Sequence, residues 1–202
     1  MSSFDDKAAT WDDDPAKVER AKAVADLVRS VLPVPPYARV LDFGAGTGLL
    51  SQHLTGHVGA LTLVEPSRGM REVIAGKVSS GRLPKDTRVW DLDLAVDAVP
   101  EERFDLVVTL MTLHHVSDVA RVLDAFAKLL DDGGRLAIID LLAEDGSFHG
   151  EGFGGHNGFD PRELAEQLTG LGLTDLQVRD DVYGVEKNGT RYALFLVTAT
   201  KA

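Results

Sequence analysis

The sequence contains no cysteine, which removes disulfides, thiolate metal sites and cysteine nucleophiles from consideration. It is also short of basic residues. Lys and Arg number 21 against 32 Asp and Glu, a formal net charge of −11. A nucleic-acid or anionic-membrane partner needs a basic face to neutralise phosphates, so neither is expected. No apolar run approaches the length of a membrane span. The opening MSSFDDKAAT lacks the basic flank and apolar core of a signal peptide, and a cytoplasmic location is expected. What is present is an ordinary globular balance, 44% apolar and 26% charged over 202 residues, which suits one domain with a sizeable core.

Asp14-Pro15 opens a helix, with Asp as N-cap and Pro at the first helical position. Val18, Ala21, Ala25, Val28 and Leu32 recur on one face, and Pro33, Pro35 and Pro36 end it. Strands are expected at Arg39 to Phe43, Ala60 to Glu65, Thr87 to Leu92, Phe104 to Leu110 and Arg135 to Leu142. Helical segments lie between them; the one capped by Ser117 or Asp118 is expected to stop at Gly133-Gly134. This alternation implies a doubly wound, mostly parallel α/β sheet. After a helix from Pro161 to about Gly170, two strand-like runs flank Asn188-Gly189, a hairpin turn signal. The expected fold is a seven-stranded sheet with a C-terminal antiparallel hairpin. Four stretches of one domain follow: an N-terminal segment and helix (1–35), a core (36–142), a loop (143–160), and the last helix and hairpin (161–202).

The first βα turn reads Asp42-Phe43-Gly44-Ala45-Gly46-Thr47-Gly48. Glycines there let backbone pass close to a ligand at a helix N-terminus. The dinucleotide pattern G-x-G-x-x-G would need Gly where Leu49 stands. A tight turn with no ligand is the plain alternative. Further features add to the turn. Glu65 ends the second strand, where a carboxylate can accept from both hydroxyls of a ribose. Asp93 follows the third and can accept from an exocyclic amine. The fourth ends in Leu110-Met111-Thr112-Leu113-His114-His115. Open α/β sheets bind ligands at the carboxyl ends of their strands.

These runs resemble class I S-adenosylmethionine-dependent methyltransferases. VLDFGAGTG is similar to the family's first motif and VEPSRGM to its second; the run from Asp93 through Val116, followed by LLDDGGRLAIID, is similar to the later ones. The resemblance implies a Rossmann-like methyltransferase fold, S-adenosylmethionine as cofactor and S-adenosylhomocysteine as product. It places Asp42, Gly44 and Gly46 at the methionine end. It places Glu65 on the ribose and Ser67 or Met70 against the adenine, with Ala45, Pro66, Asp93, Leu94 and Leu110 completing the cofactor's surroundings. Asp91 is the alternative to Asp93; the spacing of eleven residues before Phe104 favours Asp93. Trp11 lies in a segment, Phe4 to Asp13, that folds over the cofactor in similar proteins, or it anchors that segment to the core. A cofactor-binding module without methyl transfer and a nicotinamide-dependent oxidoreductase are the other classes considered.

The methyl acceptor is expected to be a small molecule. DNA adenine enzymes carry Asn/Asp-Pro-Pro-aromatic where this chain has Thr109-Leu110-Met111-Thr112, and cytosine C5 enzymes need a cysteine. His114 and His115 are candidates for an acceptor-facing role, since imidazole titrates in the useful range; the plain reading is a helix cap. Asp140 is expected to bond loop backbone. The stretch Glu144 to Phe159, EDGSFHGEGFGGHNGF, leaves the fifth strand at the same sheet edge. Its three Phe argue against a solvated linker. A substrate-facing lid is expected, hinged by glycines and walled by Phe148 and Phe153, with His149 and His156 as further catalytic candidates. Metal binding by His149, His156, Glu144, Asp145 and Glu151 is the minority alternative, but the two histidines stand seven apart, which is no metal motif, and no metal is expected.

Overall fold

The structure is a computed structural model and describes residues 4–202. Residues 1–3 of the expected N-terminal segment lie outside the described residues. Among the described residues, seven strands form one mixed sheet in the order β3-β2-β1-β4-β5-β7-β6. They run β1 Val40–Phe43, β2 Leu61–Val64, β3 Arg88–Trp90, β4 Phe104–Leu110, β5 Leu130–Leu141, β6 Leu173–Lys187 and β7 Thr190–Lys201. The α/β fold with a C-terminal antiparallel hairpin is the one expected. The chain divides into two compact units. One holds the residues through Asp93 with Phe104–Leu106; the other holds Leu94–Arg103 and Val107–Ala202.

In the first unit, α1 (Pro15–Val31) starts where expected. The Asp14 carboxylate accepts from Ala16 N at 3.0 Å, satisfying one of the N–H groups that a helix start leaves unpaired. Ala21, Val24, Ala25 and Val28 form its buried face, and α2 (Leu49–Leu54) packs against it. β1, β2 and β3 are parallel. Their last residues, Phe43, Val64 and Trp90, pair across the sheet. The residues that follow, Gly44, Glu65 and Asp91, therefore leave one edge side by side. The helix α3 (Arg68–Ser79) returns from that edge, capped by Ser67. A 3₁₀ helix, Asp5–Asp13, lies against its first turn. A Cβ on Gly69 would come 2.9 Å from the Asp5 carbonyl, so a side chain there would push the N-terminal segment away.

In the second unit, α4 (Val119–Leu129) is capped by Asp118 and buries Val122, Leu123 and Phe126. It ends four residues before the expected glycine stop. Leu130 already has extended backbone (φ −80°, ψ 137°) and is buried. Strand geometry keeps its side chain in the core, and Gly133-Gly134 fall inside β5. The final helix, α5 (Pro161–Gly170), packs on β6 and β7. These two strands meet at Asn188-Gly189, both at positive φ (52° and 77°), the geometry of a two-residue type I′ hairpin.

Candidate functional site

The glycine turn of the first unit is stitched to β2. Gly44 N and Ala45 N both donate to Val64 O, at 2.9 and 3.1 Å. Gly46 N donates to Glu65 Oε2 at 2.8 Å, and Ser67 N donates to Glu65 Oε1 at 2.8 Å. One carboxylate thus clasps the glycine turn and the start of α3, with each oxygen keeping further acceptor capacity. Burial pushes the Glu65 carboxyl above its usual range, opposed by these two N–H donors. The glycines differ in purpose. A Cβ on Gly48 would lie 3.0 Å from Leu63 Cδ2 and 3.3 Å from Leu83 Cδ1, whereas one on Gly46 would meet nothing within 4 Å. Gly48 permits close packing; Gly46 borders open space.

Asp42, the penultimate residue of β1, is buried and accepts from Ser51 Oγ at 2.7 Å. Burial raises its pKa to about 6, against the lowering effect of the Ser51 hydrogen bonds. An acid whose folded pKa is raised stabilises the fold fully only below its unfolded pKa, near 4. That contribution is lost as pH rises through about 6. Asp42→Asn keeps an acceptor for Ser51 and cannot ionise. The stability of the variant relative to wild type should therefore rise between pH 4 and 6.5, by up to about 3 kcal/mol, and stay level above. Urea unfolding at several pH values checks this; a difference independent of pH contradicts it.

The N-terminal segment is fastened to the same region. Asp5 Oδ1 accepts from Ser67 Oγ at 2.6 Å and from Gly69 N at 3.0 Å. Asp12 Oδ1 accepts from Thr47 Oγ1 at 2.5 Å, within the glycine turn. Asp12 Oδ2 lies 2.7 Å from Nζ of the fully buried Lys77, an ion contact that is not an aligned hydrogen bond. Burial lowers the Lys77 pKa and Asp12 opposes that shift. Trp11 meets Phe4 edge-on at 6.0 Å and carries Lys17 Nζ 4.5 Å above its ring. Met70 and Ser67 are buried, Pro66 is exposed, and its carbonyl accepts from Arg71. Of the two candidate adenine acids, Asp91 is held by Arg71 Nη1 at 2.7 Å. Asp93 is exposed, at the last position of this unit's first stretch.

The second unit carries the remaining candidates. Leu94 is buried, and its carbonyl accepts from Arg121 at 3.4 Å. Leu110 closes β4. A single 3₁₀ turn, Leu113–His115, follows. His114 is buried with Nδ1 2.5 Å from Asp140 Oδ1. Asp140 is held in turn by the backbone N–H groups of Leu141 (2.8 Å) and His114 (3.3 Å). The expected bond from Asp140 to loop backbone is present, and a buried His–Asp pair accompanies it. The rings of His114, His115 and His149 lie 4.1 to 5.1 Å apart, centroid to centroid. Phe153 stacks on His149 at 3.7 Å, and Phe148 meets it edge-on at 4.8 Å. His156 stands outside this group: its Nε2 is 3.0 Å from Val116 O, and its ring faces Phe159.

The loop is closed by backbone at its neck. Ala143 N donates to Phe159 O, Glu144 N to Asn157 O, and Phe159 N to Leu141 O, all within 3.0 Å. Its glycines are not uniform hinges. A Cβ on Gly155 or Gly158 would come 2.2 Å from a carbonyl oxygen, that of His114 or Leu142. Gly150, Gly152 and Gly154 border open space. Phe148 is anchored on the hairpin, edge-on to Tyr192 at 5.0 Å and beneath Lys187, whose ammonium donates to its carbonyl.

A family model described as "Methyltransferase domain" matches residues 16–178. The chain belongs to this methyltransferase family. An uncharacterised methyltransferase of Schizosaccharomyces pombe is 31% identical over 154 residues, 69% of this chain and 54% of that protein. This methyltransferase-family chain thus spans about half the length of the curated relatives it matches. Among solved structures, the protein bound to the Haloferax volcanii Trm112 methyltransferase activator superposes with a TM-score of 0.80. It covers all of this chain and 98% of that one at 16% identity. A Haemonchus contortus phosphoethanolamine N-methyltransferase superposes at 0.72 and 15% identity, over 89% of this chain and 52% of that one. It was solved with phosphomonomethylethanolamine and S-adenosylhomocysteine. These structural likenesses concern the fold. No helix among the described residues of this methyltransferase-family protein is long and apolar enough to cross a membrane.

Proposed function

We propose that the protein transfers the methyl group of S-adenosylmethionine to a small molecule. The observation that carries this reading is Glu65, a carboxylate at the end of β2 that also holds the glycine turn. In the proposed complex each Glu65 oxygen accepts one ribose hydroxyl beside the backbone N–H it already holds. The open space at Gly46 takes the approaching cofactor, Asp42 serves its methionine end, and Asp93 serves the adenine amine. Ala45, Pro66, Met70 and Trp11 supply contact surface. The reaction itself is an in-line displacement. An electron pair on the acceptor forms a bond to the methyl carbon, and the carbon–sulfur bond breaks. The sulfonium leaves as the neutral thioether of S-adenosylhomocysteine. Orientation of the acceptor supplies much of the rate, about 7–11 kcal/mol in well-oriented systems. Within the second unit, the Asp140 carboxylate lies against His114 Nδ1 and fixes the tautomer of that ring.

Two measurements test this. Calorimetry should show binding of S-adenosylhomocysteine and none of NAD, and a metabolite panel should yield an acceptor that releases S-adenosylhomocysteine. Tight NAD binding without S-adenosylhomocysteine binding overturns the reading. Gly46→Val should abolish cofactor binding, because its isopropyl group fills the open space. Gly48→Ala should instead lower stability, because it meets Leu63 and Leu83. Unaltered affinity in a folded Gly46→Val protein, judged by circular dichroism, would leave the glycines a purely structural part.

A further inference from the structure

The spacing of His149 and His156 argues against a metal, but folding brings a different set together. His114 and His115 are neighbours at the end of β4, and His149 comes from the loop 34 residues further on. One ring nitrogen from each lies within 4.8 Å of the other two. Neutral imidazole is a good ligand for zinc and for neighbouring divalent transition ions. Three imidazoles with one position left open make the ligand set of a catalytic zinc centre.

The surroundings of His114 strengthen the case. An imidazole that binds a metal through one nitrogen almost always donates its other N–H, commonly to a carboxylate, which fixes the tautomer and raises ligand basicity. His114 has that arrangement. Its Nδ1 lies 2.5 Å from the fully buried Asp140, whose position is set by two backbone N–H groups. Nε2 is then the nitrogen left to bind an ion. The aromatic walls, Phe148 and Phe153, lie against the same histidines and limit water around a bound charge. Tetrahedral zinc with bonds of about 2.0–2.1 Å needs nitrogens roughly 3.4 Å apart, so a spread of 4.8 Å must close a little. His149 can supply that movement, because it sits beside Gly150 and near Gly152 and Gly154, all bordered by open space.

We propose that His114, His115 and His149 form a binding site for one divalent transition cation, zinc by preference, oriented by Asp140. One position would stay open to an oxygen ligand, to which the cation would supply Lewis acidity. The ligand class this favours is a hydroxyl compound. The binding itself stands apart from methyl transfer, so it is measured without cofactor or acceptor.

The full chain is freed of metal with a chelator, dialysed, and titrated with zinc chloride alone by calorimetry, with elemental analysis of the loaded protein. One zinc per chain is expected. His115→Ala and His149→Ala should each weaken binding by 10²-fold or more. Asp140→Asn, which touches no ion, should weaken it about 10–100-fold. His156→Ala should retain wild-type affinity within a few-fold, because its ring is engaged by Val116 and Phe159. Circular dichroism checks that each variant is folded. If Asp140→Asn does not fold, His149→Ala still decides, since it alters a partly exposed loop residue. Failure of the wild type to bind zinc, or equal binding by His149→Ala and wild type, overturns the proposal. S-adenosylhomocysteine affinity, measured separately, stands or falls on its own.

Discussion

Asp12→Ala should destabilise the protein by about 3–5 kcal/mol, the usual cost of stripping a buried charge of its partner. Lys77 is fully buried in α3 and Asp12 lies 2.7 Å from its ammonium. Without the carboxylate, Lys77 must either stay charged in an apolar setting or give up its proton. The loss of the acceptor for Thr47 Oγ1 adds roughly 0.5–1.5 kcal/mol. Two features temper the total: Asp12 is about a quarter exposed, and water can replace part of what it provides. The companion experiment is Lys77→Met. In the Asp12→Ala background it removes the stranded charge and should recover most of the loss. Chemical denaturation of the two single variants and the double variant gives the coupling directly. A loss under 1 kcal/mol for Asp12→Ala would show that Lys77 does not depend on it.

Glu65→Ala should lower affinity for S-adenosylhomocysteine by on the order of 10²- to 10⁴-fold. A hydrogen bond to a charged group contributes about 1.5–3 kcal/mol, and the proposed ribose contact has two. The substitution also strands Gly46 N and Ser67 N, the donors that Glu65 now satisfies. The turn then loses its tie to β2's end as well as its ligand contact. Glu65→Gln separates these effects, because the amide keeps one acceptor oxygen but presents a donor where the second is needed. It should fall between wild type and Glu65→Ala. Calorimetry with S-adenosylhomocysteine measures all three; wild-type affinity in Glu65→Ala would contradict the ribose role.

The order of elements was legible because each rested on a local rule. Asp14-Pro15 and Asn188-Gly189 act through one or two residues each, and both lie where their chemistry requires. The Gly133-Gly134 stop was misleading because burial of Leu130 ended α4 first. Glycine in the first βα turn announced close approach, but not which glycine faced packing and which faced open space. That depends on Leu63 and Leu83, which periodicity cannot place around a turn. Lys77 was visible in principle, since it recurs with Met70 and Ile74 on the buried face of α3. A lysine in that series asks for a carboxylate partner, yet nothing local indicates Asp12, 65 residues earlier. The three-histidine group was hidden for the same reason: its third member comes from a different loop, and spacing along the chain carries no signal of it.

The paired neck of the Gly-rich loop has an evolutionary consequence. Ala143, Glu144, Asn157 and Phe159 tie the two ends by backbone hydrogen bonds, and such bonds ask little of side-chain identity at those four positions. Lengthening a closed loop costs little, about 0.6 kcal/mol per doubling. The tip can therefore gain, lose or exchange residues while the neck holds β5 unchanged. Natural variants, or a designed library at positions 150–152, where Gly150 and Gly152 border open space, can vary the tip while Phe148, His149, Phe153 and Gly155 keep their places.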